Sequence, residues 1–169
     1  MPGAGKTYWL RPFAEALHLP PIDMDASLVD KYKESIPEMM SRGEVGFRER
    51  ESALLQELLS RPEGAVIATG GGTPCYQDNL PAMKAAGIVL YLSCSVPCLQ
   101  KRLTTSAVER PLLKTTAGQG LDAALKETFR ARRAVYEQAD LTFDTERDDF
   151  KEIVRQIHFI NQENGKRNV

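Results

Sequence analysis

Near its start the chain reads Gly3-Ala4-Gly5-Lys6-Thr7, most of the pattern G-x-x-x-x-G-K-[ST] without its first glycine. In a loop of that kind the glycines let backbone N–H groups wrap a nucleotide's phosphates, and the helix that follows adds its free donors. The lysine reaches the β- and γ-phosphates and the threonine hydroxyl ligates Mg²⁺. A Gly-rich cap on an ordinary helix is the plainer reading. Asp23 and Asp25 come next, in Ile22-Asp23-Met24-Asp25. Carboxylates two residues apart at a strand end point the same way, toward the sheet edge where ligands of open α/β sheets bind. One can serve a metal shell and the other accept a hydroxyl proton; a solvated acidic turn is the alternative.

Gly43-Glu44-x-x-Phe47-Arg48-x-x-Glu51 sets an arginine and a glutamate three apart, on one helix face. Such a pair holds a guanidinium fork rigid for a carboxylate ligand, or is a surface ion pair. Thr69-Gly70-Gly71-Gly72 follows an apolar run directly, so backbone can approach a ligand with no side chain in the way. Arg102 and Arg110-Pro111-Leu112-Leu113 flank or lie in a patternless segment from Thr104 to Gly120. A long stretch without pattern in a compact domain reads as a lid, and a lid arginine can set positive charge on a transferring phosphoryl group. Arg130, Arg132, Arg133 and Tyr136 form a basic cluster late on a helix, where they also suit the helix dipole.

These residues need elements to hold them. Apolar, β-branched runs at Ala65 to Thr69 and Ile88 to Leu92, a weaker one at Leu141 to Phe143, and Pro21 to Asp23 read as strands. Helical patterns cover Thr7 to Leu17, Ser35 to Arg42 running on to Leu59, Pro81 to Ala86, Pro97 to Leu103 and Leu121 to Ala139. Apolar residues at Phe150, Ile153, Val154, Ile157 and Ile160 make the stripe of a closing amphipathic helix, with residues 161–169 a frayed tail. Alternation of this kind predicts βαβ crossovers and a parallel sheet buried on both faces. A phosphate loop is launched from a buried strand; none precedes Met1, so the expected sheet lacks its launching strand. Pro12 falls inside the helix after the loop, where it should kink it at a cost of about 3 kcal/mol.

Composition sets the limits. With 169 residues, 42% hydrophobic and 27% charged, the chain reads as one domain, residues 1–169. A net charge of −1 offers no global field for nucleic acid or an anionic membrane. The lack of a long apolar run argues against a membrane span, and the expected setting is a cytoplasmic, monomeric protein. Cys75, Cys94 and Cys98 suit a reduced compartment. Cys94 and Cys98 have no Cys or His nearby in the sequence to complete a zinc site, so packing is their expected role.

Taken in order, G-x-G-K-[ST], D-x-D, G-E-x-x-F-R-x-x-E, T-G-G-G, R-P-L-L and R-x-x-x-Y resemble the shikimate kinase family, from Met1 to about Thr145. The resemblance implies a three-layer α/β P-loop kinase fold. Its parallel sheet is five-stranded in the family, here without the launching strand. It implies transfer of the ATP γ-phosphate, with Mg²⁺, to the 3-hydroxyl of shikimate in aromatic amino-acid (chorismate) biosynthesis. By position, Gly3, Ala4, Gly5, Lys6 and Thr7 would hold the phosphates, with Thr7 and Asp23 at the metal. Asp25 would accept the hydroxyl proton, and Lys6 and Arg110 would stabilise the phosphoryl group. Arg48, braced by Glu51, and Arg132 would clamp the shikimate carboxylate; Gly70, Gly71 and Gly72 would line the substrate; Arg102 would lie against adenine.

The chain departs from the family pattern in places. Ala134 stands where the family reads R-x-P-x-Y, and Arg133 adjoins Arg132, so either can be the second clamp. No proline occurs in the loop from Asp144 to Asp149. Rival readings are another P-loop small-molecule kinase of gluconate-kinase type, or a catalytically silent domain of the same fold.

Overall fold

The computed structural model describes residues 1–104 and 120–164. Helices and strands alternate along the chain: α1 (Lys6–Leu17), β1 (Pro21–Asp23), α2 (Met24–Tyr32), α3 (Ile36–Ser41), α4 (Glu44–Leu59) and β2 (Val66–Ala68). A 3-10 turn (Thr73–Cys75), α5 (Asn79–Ala86), β3 (Leu90–Ser93), α6 (Val96–Thr104), α7 (Leu121–Tyr136), β4 (Leu141–Asp144) and α8 (Phe150–Asn164) complete the order.

Local chemistry explains the boundaries. The helical pattern expected to run unbroken from Ser35 to Leu59 is split in two. Gly43 takes φ 135° and ψ 132°, a conformation no helix contains, and α4 starts from it. Ahead of the break, α3 opens on a reciprocal capping box, in which the Ser35 side chain accepts from the Glu38 N–H and Glu38 reaches back to the Ser35 N–H. The turn between α1 and β1 is closed by His18 in the left-handed region, with the Leu19 N–H on the Ala14 carbonyl at 3.0 Å. Through Pro12 α1 continues as one element. The N–H that Pro12 lacks would have bonded the carbonyl of Tyr8, a residue 72% exposed, so water can serve that carbonyl instead. At the other end of the chain α8 extends past Ile160 into the segment expected to fray, as far as Asn164.

The strands form two parallel pairs rather than one continuous sheet. β1 pairs with β2, Ile22 opposite Ile67; β3 pairs with β4, Leu92 opposite Phe143. In a parallel ladder successive residues aim their backbone groups to opposite sides. Val66 donates to the Pro20 carbonyl, so Ile67 faces away from β1. Leu141 donates to Val89 and Thr145 to Ser93, so Leu90 and Leu92 face away from β4. Both open edges line one apolar cavity of about 170 Å³, together with Met1, Trp9, Phe13, Met83 and Ile157. Met1, which lines this cavity, leads directly into the phosphate loop.

Three apolar clusters pack around the pairs. Met24, Leu28, Met39, Phe47, Leu54 and Leu55 join α2, α3 and α4. Met1, Ala4, Leu99, Leu125 and Tyr136 join the loop to α6 and α7. Phe13, Leu17, Phe143, Ile153 and Ile157 join α1, β4 and α8, with Trp9 stacked on Phe150 at 5.5 Å. Helices therefore cover the strands on both faces, the three-layer α/β arrangement.

Five β-branched apolar residues joined ahead of Met1 should pair with β2 and β3 and fill the cavity. At about 1.5–3 kcal/mol per large side chain buried, the midpoint of thermal unfolding should rise by at least about 5 °C. A five-residue Asp/Lys extension should leave it unchanged, and equal midpoints for the two extensions would mean the gap does not accept a strand.

Candidate active site

Backbone shape comes first. Gly3 (φ 80°) and Gly5 (φ 92°) take left-handed conformations that side chains resist, and they fold the loop against its neighbours. A Cβ on Gly5 would sit 3.3 Å from Trp9 Cδ1, and one on Gly3 3.1 Å from Leu103 Cγ. No side chain caps α1 at Gly5, and a helix N-terminus of this kind suits an anion. Arg102 straps the loop from outside: its Nη1 donates to the Ala4 carbonyl at 3.1 Å, to Gly3 at 3.5 Å and to Thr145 Oγ1 at 3.3 Å. Expected against adenine, Arg102 lies against the loop carbonyls. Lys6 Nζ bonds the Met1 carbonyl at 3.4 Å, which folds the side chain back over the loop.

Asp23 and Asp25 reach the site by a route different from the one their spacing suggests. Strand alternation does not align them, because β1 ends at Asp23 and Asp25 already belongs to the first turn of α2. Asp23 Oδ1 caps that helix, accepting from the N–H groups of Asp25 and Ala26 at 3.1 and 3.2 Å. Its Oδ2 accepts from Thr7 Oγ1 at 3.0 Å, so two hard oxygen donors sit side by side next to the phosphate loop. Helical geometry turns the Asp25 carboxylate elsewhere, toward the glycine tract: a Cβ on Gly70 would lie 3.6 Å from its Oδ1.

None of Gly70, Gly71 and Gly72 has a positive φ. Closeness is what requires glycine at Gly70 and Gly72, whereas a Cβ on Gly71 would meet only ordinary contacts. A Cβ on Gly70 would overlap Glu51 Oε1, and one on Gly72 would lie 2.5 Å from Arg48 Nη2. Beneath the tract Arg48 (6% exposed) donates to Glu51 (1% exposed) at 2.6 Å. Thr73 Oγ1 donates to the other Glu51 oxygen at 2.7 Å, and Asn79 Nδ2 to the Thr73 carbonyl at 2.9 Å. Ser52 Oγ then donates to Asn79 Oδ1 at 2.7 Å. The surface-pair alternative for Arg48 and Glu51 is thereby set aside: the pair is buried and its acceptors are used.

On the opposite side, Arg132 Nη1 comes within 3.6 Å of a Cβ placed on Gly71, and the Tyr136 hydroxyl donates to the Gly71 carbonyl at 2.6 Å. Burial pushes the Tyr136 phenol above its ordinary range, against the pull of Arg132. Arg133 points away and pairs with Glu137 at the surface at 2.6 Å. Desolvation raises the Cys75 thiol above its ordinary range, while the charges of Arg132 and Arg48 act to lower it.

The glycine tract thus lies between a buried Arg48–Glu51 pair and an Arg132–Tyr136 pair, with Asp25 over Gly70. Thr73, Asn79 and Tyr136 support it and were not among the expected site residues. Tyr136 had a signal in the R-x-x-x-Y spacing; Thr73 and Asn79 had none, since ordinary polar residues acquire meaning here only by what they touch. Arg110 and the expected lid lie outside the described residues.

Layered helices on parallel strands, with a Gly-Lys-Thr loop at a helix N-terminus and a site at the strand ends, define a P-loop kinase fold of the α/β class. The family described as "Shikimate kinase" matches residues 2–160. Shikimate kinase of Parabacteroides distasonis is 38% identical over 146 residues, 86% of this chain and 84% of that one. That of Thioalkalivibrio sulfidiphilus is 40% identical over 166 residues, 97% of this chain and 85% of that one. A solved shikimate kinase from Acinetobacter baumannii in complex with shikimate superimposes with a TM-score of 0.82 at 33% identity, covering 96% of this chain and 89% of that one. The chain belongs to the shikimate kinase family.

Gly72→Ala should push the Arg48 guanidinium out of place without touching the core. The expected outcome is at least a tenfold fall in kcat/KM, about 1.4 kcal/mol or more of transition-state stabilisation, with an unchanged far-UV circular dichroism spectrum. Full activity would mean that the tract's closeness to Arg48 is irrelevant to turnover.

Proposed function

We propose that this chain is an ATP-dependent kinase that phosphorylates the 3-hydroxyl of shikimate, using the residues gathered around Gly70 to Gly72. The observation that carries the reading is the buried Arg48–Glu51 pair pressed against Gly72, with Arg132 on the far side of the tract. Two guanidinium groups beside a backbone that carries no side chains suit a small carboxylate substrate. Glu51 holds Arg48 in a fixed orientation, and its own spare oxygen is occupied by Thr73. The gluconate-kinase alternative has no specific observation behind it.

In this reading the backbone from Gly3 to Thr7 and the Lys6 ammonium hold the ATP phosphates. Thr7 Oγ1 and Asp23 Oδ2 are the donors that suit Mg²⁺, which when bound neutralises phosphate charge. Asp25, facing Gly70, takes the proton from the shikimate hydroxyl as its oxygen bonds to the γ-phosphorus and the bond from that phosphorus to the ADP oxygen breaks. Arg110 adds positive charge at the transferring group. Arg102, bonded to the loop carbonyls, lies against adenine. The reading also takes a single-domain, monomeric, cytoplasmic enzyme. Among the described residues no helix is long and apolar enough to cross a membrane, and a net charge of −1 gives no field for nucleic acid.

Coupled measurement of ATP consumption with shikimate, with gluconate and with neither tests the activity. Shikimate alone should stimulate it; stimulation by gluconate only, or by neither, overturns the reading. Asp25→Asn should lower kcat by about 100-fold or more with little change in shikimate KM, and an unchanged kcat would remove Asp25 from proton transfer. Arg132→Ala should raise shikimate KM about tenfold or more, whereas Arg133→Ala, which loses only a surface pair, should leave it near the parent value. The reverse pattern would transfer the clamp to Arg133.

A further inference from the structure

We propose that Cys94, Cys98 and Glu146 form a zinc-binding site, distinct from the residues gathered around Gly70 to Gly72 and next to Thr145, which Arg102 bonds. Cys94 directly follows β3 and Cys98 lies in the first turn of α6, so the short β3–α6 connection brings the two sulfurs together. The chain pairing of β3 with β4 brings the loop after β4 to the same place. One sulfur from each cysteine and one Glu146 oxygen all lie within 4.8 Å of one another. Among the described residues no other group of three His, Cys, Asp or Glu side chains meets in this way.

The third donor is held, not merely near. Glu146 Oε2 accepts from the Ser95 N–H at 2.6 Å and Oε1 from the Ser95 hydroxyl at 3.1 Å. The Glu146 N–H is fixed in turn on Asp144 Oδ1 at 2.9 Å. A carboxylate has about four lone-pair directions, so the Ser95 contacts leave room for a metal bond. The thiols are half-buried and the carboxylate exposed, which gives a soft, partly desolvated floor with an open mouth. Two thiolates and one carboxylate are a donor set for a tetrahedral, borderline-soft divalent ion, with water in the fourth position. Mg²⁺ and Ca²⁺, which demand oxygen, are poor matches. Binding as thiolates, the cysteines would release their protons to solvent.

The probe is Co²⁺, followed by Zn²⁺, added to the reduced full chain in excess Mg²⁺ so that the oxygen donors Thr7 and Asp23 are occupied. One equivalent of Co²⁺ should give a thiolate-to-metal charge-transfer band and intense tetrahedral d–d bands, both lost on adding Zn²⁺. Cys98→Ser should weaken binding by more than about 100-fold and Glu146→Gln by about tenfold. A second readout needs no variant: Zn²⁺ should shield Cys94 and Cys98 from alkylation, read by peptide mass spectrometry, while Cys75 reacts as before. Absence of the charge-transfer band, equal alkylation of Cys94 and Cys98 with and without Zn²⁺, or parental affinity in either variant would overturn the site.

Discussion

The site is organised around one buried ion pair, Arg48 with Glu51. Taking two charges out of water costs several kcal/mol each, and the cost is recovered only where geometry and further hydrogen bonds are good. Here they are: the 2.6 Å contact satisfies one Glu51 oxygen, Thr73 satisfies the other, and Asn79 and Ser52 fix Thr73 in turn. The polypeptide over the pair must then be glycine, since a Cβ at Gly70 or Gly72 would enter the space of Glu51 or Arg48. One interaction therefore links α4, the glycine tract, the 3-10 turn and α5, and it aims the guanidinium without leaving it free to swing.

The phosphate loop depends on a different kind of support. It is short, left-handed at Gly3 and Gly5, and held by packing on Leu103 and Trp9 and by the Arg102 bonds to its carbonyls. Met1 is 5% exposed and reaches toward Gly71, so the start of the loop touches the acceptor side of the site. The two strand pairs stand on either side of that point, each with an edge turned to the cavity between them.

Much of this was legible in the residues. The apolar runs around Val66 and Leu90, without polar alternation, suit strands covered on both faces, and the spacing of Phe150, Ile153 and Ile157 makes one helical stripe. The i, i+3 placement of Arg48 and Glu51 announced a pair. Other features were read with the wrong mechanism. Asp23 and Asp25 both reach the site, but as a helix cap and a first-turn residue and not as alternate positions of a strand, because α2 starts immediately after Asp23. The glycine tract leaves space for a ligand, and the structure adds the buried pair that already fills the other side of it.

By itself the sequence determined element types, their order and the chemistry of each motif, because periodicity, capping and side-chain functional groups act over a few residues. Tertiary structure alone decided which of Arg132 and Arg133 turns toward Gly71, since both lie on one helix and only packing against Tyr136 and Glu137 distinguishes them. It also decided that Thr73 and Asn79 complete the charge network, and that Glu146 meets Cys94 and Cys98 from across a strand pair. Those contacts join residues that are distant in sequence or ordinary in type. Their meaning comes from burial and from what lies within about 3 Å, neither of which a linear pattern carries.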